Sequence, residues 1–590
     1  MVATHGSKRR RWWLWVTVGL GVVLLVLAAA GAWLAYTGIK AKNALQSAAT
    51  ALSNAQSALL EGDAAAADQA VTKASTLTGQ ARRSTSDPVW KVAGAVPLLG
   101  ASPKAVTLSS QAADDVVSGA LPQFVAAAKT LDISTIKAAD GTVDLSRFPP
   151  AGEQLAGAQG SLREAQSLMA QVPTSGVPGF VRTGTDELTA KVDEALGVST
   201  TASSLLKVIP GMLGQSGPQT YFVGFQSPVE IRGTGGFLGT YGILTVDKGK
   251  LTQRDTFANT TLVDPVRPSV NLGADYVNLY GADPLWSNMN MSPNFPYAGV
   301  QWANGWKVQT GQQVAGAMAI DLTALQYLIQ ATGPVTAPDG TVLTSDNVVK
   351  YLGNDIYIKY ADDSEARKQY QSQIATDLID RVLHLKGGTS ALVKALSQSV
   401  SGGHVQMWSA DQATQDVLAT TPLAGQTSPA PGPYAQLVLN NGGGNKLDYY
   451  LQRKVEYTAG QCLDDGTRKS TVKVTLTNTA PADLPRNGST VGTGDGNRDG
   501  QPDFINRTLA YVHFANGAGV TGVRVDGQPA MAHFGIELGH PVSLSRVDVA
   551  PGKPVTLEFD VIEPQSGATP RVPEQPMVLP QQTQVSWKGC

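Results

Sequence analysis

The feature that most constrains this chain lies near its N-terminus, where Trp12 to Tyr36 form a run of 25 residues without a charged side chain. As a helix rising about 1.5 Å per residue, the run spans roughly 37 Å, enough to cross a hydrocarbon core of about 30 Å. Lys8 to Arg11 come directly before it, and tryptophan or tyrosine side chains stand at both ends. Basic residues favour the cytoplasmic side, and these aromatic residues favour membrane interfaces.

We therefore expect a cytoplasmic tail at 1–11 and a transmembrane helix at 12–36. The protein would be a single-pass protein of the plasma membrane, with its N-terminus in the cytoplasm and its bulk outside. The alternative is a cleaved signal peptide, which has a shorter apolar core and a small-residue cleavage site.

The amino-acid composition limits the classes of partner that we expect. The net charge is −2, and 16% of residues are charged, below the usual value of about 25%. Outside the N-terminus the sequence has no cluster of lysine and arginine, so we expect no nucleic-acid partner. The only two cysteines are Cys462 and Cys590. Outside the cytoplasm they can pair as a disulfide, and two free thiols are the alternative.

The pattern along the chain predicts a multidomain α+β protein. After the transmembrane helix, residues 40–210 are rich in alanine at three- and four-residue spacing, which predicts a helical bundle serving as a spacer or stalk. Residues 218–425 alternate strand-like and helix-like runs and predict a central α/β domain. A Ser/Pro/Gly linker at 426–433 leads to a C-terminal β-sandwich at 434–590, with about seven short strands punctuated by turns.

The α/β domain is predicted to open with three strands: Tyr221 to Gln226, Tyr241 to Val246, and Lys250 to Phe257. Asp247 to Gly249 forms the turn between the last two. Between the first two strands, the glycine-rich segment Arg232 to Phe237 has glycines at 233, 235 and 236, which indicates a tight turn or a close backbone approach.

Polar residues flank these turns. Glu230 and Arg232 lead into the glycine-rich segment, and Arg254 and Asp255 lie near the end of the third strand. Sites often form from such residues at strand ends. A long connection at about 263–300, rich in aromatic residues and methionine, is predicted to be ordered and to contact a ligand. Asp321 is predicted to cap the helix that follows it.

Three arginines are candidates for binding an anionic group, because guanidinium groups match phosphate oxygens. They are Arg232, Arg254 and Arg367, and the acidic residues that would hold Mg²⁺ or balance their charge are Glu230, Asp255 and Asp321. The alternative for each residue is a structural ion pair. No histidine has an obvious partner in the sequence, so none is predicted to be catalytic.

A second candidate site lies between two strands of the predicted sandwich. Asp495, Asn497, Asp499 and Asp503 occupy positions 1, 3, 5 and 9 of a Ca²⁺-binding loop pattern, although position 12 is Asn506 where a glutamate is expected. The alternative is a plain Asp/Gly turn. The glycine-rich segment precedes a strand instead of a helix, which argues against a dinucleotide site. Walker A, H-E-x-x-H and G-x-S-x-G motifs are absent from the sequence.

Several segments together resemble a known family. They are Pro88-Val-Trp90, Val96-Pro-Leu-Leu-Gly100, Val229-Glu-Ile-Arg-Gly-Thr-Gly-Gly-Phe237, Asn290-Met-Ser-Pro-Asn-Phe-Pro296, Thr310-Gly-Gln, Ala319-Ile-Asp321 and Ala331-Thr-Gly-Pro334. The resemblance, over about residues 40–560, is to the bacterial membrane family called domain of unknown function 4012. It implies a single-pass envelope protein and supplies no activity.

A weaker resemblance concerns the central domain. Strands ending in Arg254-Asp255, then Asp321, then a helix carrying Arg367 resemble the LytR-CpsA-Psr family. That family transfers glycopolymers from polyprenyl pyrophosphate carriers to the cell wall, using arginines for the pyrophosphate and acidic residues for Mg²⁺. The resemblance implies catalytic roles for Arg254, Asp255 and Arg367. Glu230 is the nearest equivalent of a further acidic residue of that family.

Two hypotheses follow from the sequence. In the first, an envelope protein binds a polyprenyl-phosphate glycolipid and acts as a glycopolymer phosphotransferase towards a cell-wall polymer, with Mg²⁺. In the second, the protein is a non-enzymatic envelope scaffold or adhesion protein. A lipid-sized apolar cavity beside Arg254 and Arg367 favours the first hypothesis, and a filled core with dispersed arginines favours the second.

Overall fold

The computed structural model describes residues 7–60, 64–97, 99–138, 140–360, 363–384, 389–484 and 504–590. Within these ranges, side chains are not described for residues 7–24, 56, 59–60, 64, 133–134, 253–254, 364, 375, 378–380, 382–384 and 389–390. The chain forms two compact units. The first comprises Met1–Ile136 and Ser146–Lys207, and the second comprises Lys137–Leu145 and Val208–Cys590.

The first unit is helical. Its helices are α1 (Ser7–Leu60), α2 (Ala64–Ser84), α3 (Pro88–Ala95), α4 (Ala101–Asp115), α5 (Leu121–Thr130), α6 (Ile133–Ile136), α7 (Phe148–Met169) and α8 (Gly179–Met212), whose last residues enter the second unit. A π-helical turn, Val116–Ala120, joins α4 to α5. From Thr37 onwards, α1 buries a residue every three or four positions, mostly alanines such as Ala41 and Ala48. This confirms the predicted amphipathic pattern, and the small side chains let α1 and α2 approach closely.

The predicted transmembrane segment 12–36 lies within α1. The side chains of residues 12–24 lie outside the described residues. Among the residues that are described, no helix is both long enough and apolar enough to cross a membrane. The membrane anchor therefore stays a prediction.

The second unit opens with an α/β domain. Its strands are β1 (Gln219–Ser227), β2 (Phe237–Asp247), β3 (Lys250–Ala258), β4 (Gly316–Asp321), β5 (Val335–Thr336), β6 (Val342–Leu343) and β7 (Val405–Ser409). Its helices are α9 (Ala274–Tyr280), α10 (Phe295–Thr310), α11 (Leu322–Thr332), α12 (Val348–Lys350), α13 (Ile356–Lys359), α14 (Ser364–His384), α15 (Thr389–Ser401) and α16 (Gln412–Leu418).

Five of these strands form a mixed sheet in the order β3-β2-β1-β4-β7. Strands β1 and β4 run parallel, and the other neighbours run antiparallel. The predicted turn between β2 and β3 is confirmed, since Lys248 and Gly249 have φ values of +49° and +79°. Positive φ at both central residues gives the turn a twist that matches its two strands.

An aromatic core covers one face of this sheet. Phe222 of β1 stacks on Tyr241 of β2 with ring centroids 5.2 Å apart, and Trp302 of α10 is fully buried beside them. The connection at 263–300 adds Trp286 and Met289 to the same core. This connection is ordered, as predicted. However, Trp286 and Met289 pack in the core. The prediction that the aromatic and methionine residues contact a ligand is therefore wrong for these two.

The second unit ends in two facing β-sheets. The strands are β8 (Ala435–Asn441), β9 (Leu451–Cys462), β10 (Thr467–Asn478), β11 (Asn506–Phe514), β12 (Gly519–Val525), β13 (Gln528–Pro529), β14 (His533–Glu537), β15 (His540–Val549), β16 (Val555–Pro564) and β17 (Gln582–Ser586). They form one sheet in the order β13-β12-β16-β10-β9-β17 and another in the order β14-β15-β11-β8. Side chains from both sheets, including Leu439, Val474 and Phe559, fill one shared core.

A disulfide closes this sandwich by joining Cys462, at the end of β9, to Cys590. The two cysteines are 128 residues apart in sequence. Arg468, whose side chain is buried, donates from Nε to Cys590 Sγ at 3.0 Å. The predicted Ca²⁺ ligands Asp495, Asn497, Asp499 and Asp503 lie outside the described residues.

We expect the disulfide to stabilise the sandwich because it limits the freedom of a long loop in the unfolded chain. Replacing both cysteines by serine should lower the free energy of unfolding by roughly 2–5 kcal/mol, measured by urea unfolding. Reduced wild type should match the double variant, and reductant should leave the double variant unchanged. Equal stability of oxidised and reduced wild type would contradict this expectation.

Candidate functional site

A pocket lies where the parallel strands β1 and β4 end at the same edge of the sheet. Gln226 and Ser227 line it from β1, Asp321 lines it from β4, and Tyr357 and Ser372 contribute from α13 and α14. In α/β sheets this edge is the usual place for a ligand. The pocket volume is about 70 Å³, which holds a few water molecules or one small polar group but not a lipid chain.

Asp321 connects this pocket to a histidine. Its Oδ1 accepts hydrogen bonds from the backbone N–H groups of Thr323 at 2.9 Å and Ala324 at 3.0 Å, which confirms the predicted helix cap. Its Oδ2 lies 2.7 Å from Nδ1 of His404, just before β7. Burial alone would lower the pKa of His404, but the charge of Asp321 and the hydrogen bond to it outweigh burial and raise that pKa.

Cationic side chains surround Tyr357, which forms one wall of the pocket. The Arg367 guanidinium lies 4.7 Å from the centre of the Tyr357 ring, and Lys446 Nζ lies 5.5 Å from it. Lys368 follows Arg367 on α14. Burial and, after it, the positive charges of Arg367 and Lys446 lower the pKa of Lys368, against the opposite effect of Glu365. Three basic side chains are thus gathered near Tyr357, with Glu365 as a carboxylate that acts on Lys368.

Arg367 itself has few fixed partners. Its side chain is mostly buried, and burial lowers the pKa of the guanidinium. Its Nη1 donates one long hydrogen bond, 3.4 Å, to the carbonyl oxygen of Tyr360. Within the described part of the chain, no carboxylate forms an ion pair with it. We take Arg367, Lys368 and Lys446 together as the cationic cluster.

Glu230 and Arg232 are buried beside this cluster. Glu230 Oε2 pairs with Lys446 Nζ, and Glu230 Oε1 lies 3.5 Å from Arg232 Nη2. Arg232 Nε also donates to the carbonyl oxygen of Ser287 at 2.9 Å. Burial would raise the pKa of Glu230, but the charges of Lys446 and Arg232 outweigh burial and lower it. For these two residues the structure therefore shows the ion pairing that the sequence left open as an alternative to ligand binding.

The glycine-rich segment and Ile231, which precedes it, pack against the sandwich. The Ile231 N–H donates to Asp448 Oδ2 at 2.7 Å, and the Gly233 N–H donates to Asn440 Oδ1 at 3.0 Å. The Ile231 side chain is fully buried in the sandwich core. A Cβ on Gly233 would collide with the Met291 carbonyl oxygen. The glycine confirms the predicted close approach, and the segment joins the two domains of the second unit.

The connection at 263–300 completes this junction. Asn290 Nδ2 donates to Thr234 Oγ1 at 3.0 Å, and Ser292 Oγ donates to Glu537 Oε1 at 2.6 Å. Glu537 also lies 2.7 Å from Nε2 of the fully buried His513. The prediction that no histidine has a partner is thus wrong for His404 and His513, each of which contacts a carboxylate. Their carboxylates stand 83 and 24 residues away in sequence, so local pattern carries no signal of the pairing.

The predicted site residues fall into separate groups. Arg232 pairs with Glu230. Arg367 shares the Tyr357 ring with Lys446, a residue that the sequence analysis did not predict. Asp255 is an exposed residue of β3 opposite Ile243. The backbone of Arg254 pairs with Leu244 in the same strand pair, and its side chain lies outside the described residues.

Within the described residues, the predicted acidic ligands do not form a magnesium site. Asp321 caps a helix and binds His404, and Glu230 is paired with two cations. Across the described residues, no three His, Cys, Asp or Glu side chains are grouped so that they could hold a metal ion. We derive no chemical step through Mg²⁺.

Comparison with known proteins gives one match. Residues 216–357 match a family model described as "Protein of unknown function (DUF4012)". The match confirms the stronger of the two resemblances over this segment, which runs from the start of β1 to Tyr357. No curated protein and no solved structure shows significant similarity to the chain. The resemblance to the LytR-CpsA-Psr family stays a prediction.

We predict that the Asp321–His404 contact makes stability depend on pH. The raised pKa of His404 means that its contribution is full below its unfolded value, about 6.5, and is lost as pH rises through the folded value. His404→Gln should therefore cost roughly 1.5–3 kcal/mol at low pH and less at high pH, measured by urea unfolding. His533→Gln, at an exposed histidine, is the control for the substitution itself, and a pH-independent cost for His404→Gln would contradict the prediction.

We also predict that Gly233→Ala weakens the junction. The added methyl group meets backbone that cannot rotate away, so the free energy of unfolding should fall by about 1–3 kcal/mol or more. Gly239→Ala is the matched control, since the nearest atom to its Cβ is the Phe225 carbonyl oxygen at 4.0 Å. If both variants unfold at the same urea concentration, the close approach at Gly233 is not a constraint on stability.

Proposed function

We propose that the protein, whose residues 216–357 match the DUF4012 family model, is a membrane-anchored envelope protein. Its α/β domain binds the pyrophosphate of a polyprenyl-linked glycan outside the cytoplasm. The observation that carries the proposal is the cationic cluster beside Tyr357, whose side chain lines the pocket at the ends of β1 and β4. Guanidinium and ammonium groups bind phosphate oxygens strongly when they are partly withdrawn from water.

The positions of the three cations support an anionic ligand over an internal ion-pair network. Glu230 pairs with both Lys446 and Arg232, whereas Arg367 has no described carboxylate partner. The charge of Glu365 acts on Lys368, so the guanidinium of Arg367 is the group proposed to bind an anion. A phosphate group matches the sign and the N–H donors of this guanidinium.

The size of the pocket limits the mode of binding. Its volume of about 70 Å³ suits a small polar group and excludes a polyprenyl chain, so the lipid tail and the glycan would lie outside it. We propose binding of the headgroup at the pocket mouth. Transfer of the glycan to a cell-wall polymer remains the further part of the proposal, and the described residues supply no metal site for it.

The membrane anchor rests on α1. From Leu25 to Leu27 the helix exposes consecutive apolar side chains, a pattern that is stable in lipid and costly in water. The uncharged run to Tyr36 continues it. The Ca²⁺ loop at 495–503 is proposed to stiffen the sandwich and has no part in ligand binding.

The alternative function is a non-enzymatic scaffold. The small pocket and the separate positions of the arginines favour it, and so does one further observation. The glycine-rich segment buries its polar groups against the sandwich, so the most distinctive motif of the domain serves structure. In this alternative the cationic cluster holds an anionic partner or polymer without chemistry, and the sandwich presents an interaction surface.

Lipid binding provides the test. The full chain, made in a bacterial host and purified in mild detergent, should carry a polyprenyl phosphate or pyrophosphate detectable by mass spectrometry. Arg367→Ala should weaken binding of added polyprenyl pyrophosphate by roughly ten- to a hundredfold, the value of about one charge-assisted hydrogen bond. Arg254→Ala should abolish it if Arg254 also binds the ligand.

Arg381→Ala is the matched control. Arg381 is an exposed residue of the same helix that donates to the Pro334 carbonyl oxygen at 2.7 Å. This variant should bind like wild type. Equal binding by Arg367→Ala and wild type, or no lipid bound by either, would overturn the pyrophosphate proposal and leave the scaffold.

A further inference from the structure

The exposed large apolar side chains of the first unit are unevenly placed. In the described part of that unit they are Leu25, Val26, Leu27, Trp33, Tyr36, Ile39, Val92, Val96, Leu99, Phe180 and Val198. The first six follow one another along α1. Three of the others belong to α3 and the turn after it, one to the start of α8, and Val198 to the middle of α8.

Two hydrogen bonds fix helix α3 beside α1 near Trp33 and Thr37. Trp33 Nε1 donates to Asp87 Oδ2 at 2.6 Å, and Trp90 Nε1 donates to Thr37 Oγ1 at 2.8 Å. A Cβ on Gly38 would lie 3.5 Å from the Trp90 ring. Trp90 is buried against α1, and Lys91 and Val92, which follow it on α3, are exposed. Val92 is 69% exposed, and Leu99 in the following turn is 76% exposed.

The connection between α7 and α8 reaches the same end of the bundle. A Cβ on Gly176 would lie 3.3 Å from the methyl group of Ala101, the first residue of α4. Phe180, four residues later, is 77% exposed. Three separate segments therefore present apolar side chains near the start of α4.

The burial pattern of helix α1 changes near Thr37. From Thr37 onwards it buries one residue in every three or four, whereas Leu25 to Ala29 and Ala35 to Tyr36 are exposed. The described side chains before Thr37, from Leu25 onwards, are thus mostly uncovered. Trp33 among them lies against Asp87 at the start of α3, so one apolar environment would suit the exposed side chains of both helices.

The same segments also carry exposed basic residues. They are Lys40, Lys42, Lys91, Lys104 and Arg182. Of the acidic residues in or next to these segments, Asp87 accepts the Trp33 hydrogen bond, and Asp186 and Glu187 lie further along α8. Basic side chains together with exposed apolar ones match a bilayer that contains anionic lipids.

We infer that the turn after α3 and the start of α8 form a second membrane contact, a foot that enters the headgroup region of an anionic bilayer beside α1. The foot consists of Val92, Val96, Leu99 and Phe180. The inference rests on the proposed membrane anchor and goes beyond it, since a single-pass helix alone would leave the bundle free to tilt. The foot fixes the bundle against the membrane surface.

The test is depth-dependent fluorescence quenching in the full chain. The two native cysteines are bonded to each other, so one introduced cysteine can carry an environment-sensitive dye. Leu99→Cys and Phe180→Cys report on the foot. Val198→Cys is the matched control: it is 61% exposed and about 27 Å along α8 from Phe180 at the usual helical rise. The chain is reconstituted into vesicles of phosphatidylcholine and phosphatidylglycerol, with or without lipids carrying a nitroxide near the headgroup.

We expect the dyes at 99 and 180 to shift to shorter wavelength and to lose fluorescence to the nitroxide lipid, while the dye at 198 does neither. Flotation of the vesicles reports the anchor separately. A chain that floats with the dyes at 99 and 180 in water overturns the foot and leaves the anchor intact. A chain that does not float overturns both. A shift at 99 without quenching shows a protein contact, such as a second copy, and also overturns the inference.

Discussion

The buried carboxylate of Asp448 is the interaction on which the second unit depends. It is fully buried, and burial raises its pKa. Three donors compensate: the Ile231 N–H at 2.7 Å, Asn441 Nδ2 at 2.8 Å and Asn506 Nδ2 at 2.7 Å. Such a group is costly without partners. Because the partners come from the α/β domain, from β8 and from β11, satisfying this one carboxylate fixes three segments together.

The turn that carries Asp448 also shapes the candidate site. Lys446 precedes Asp448 by two residues and reaches Glu230 and the Tyr357 ring. A residue of the sandwich thereby enters the cationic cluster of the α/β domain. The glycine-rich segment looks in sequence like a ligand loop, yet its backbone donors are consumed by Asp448 and Asn440. What remains for a ligand is the guanidinium of Arg367.

Local physics explains which features the sequence predicts well. The β2–β3 turn, the Asp321 cap and the alanine face of α1 follow from residue preferences over a few positions, and the structure shows all three. The pairing of Asp321 with His404, and of Glu230 with Lys446, joins residues 83 and 216 positions apart. Such contacts depend on how the domains pack, so no spacing rule in one sequence reveals them. Arg232 illustrates the difference, since an ion pair with the nearby Glu230 was predictable and the bond to the Ser287 carbonyl oxygen, 55 residues away, was not.

Amide hydrogen exchange at Ile231 and Gly233 tests the central claim most directly, namely that the glycine-rich segment is a structural junction. If the account is right, both amides are protected as strongly as those of β9 and β10 and exchange only when the sandwich unfolds. An exposed ligand loop would exchange quickly while the sandwich stays protected. Fast exchange at both amides in the native chain would therefore contradict the junction.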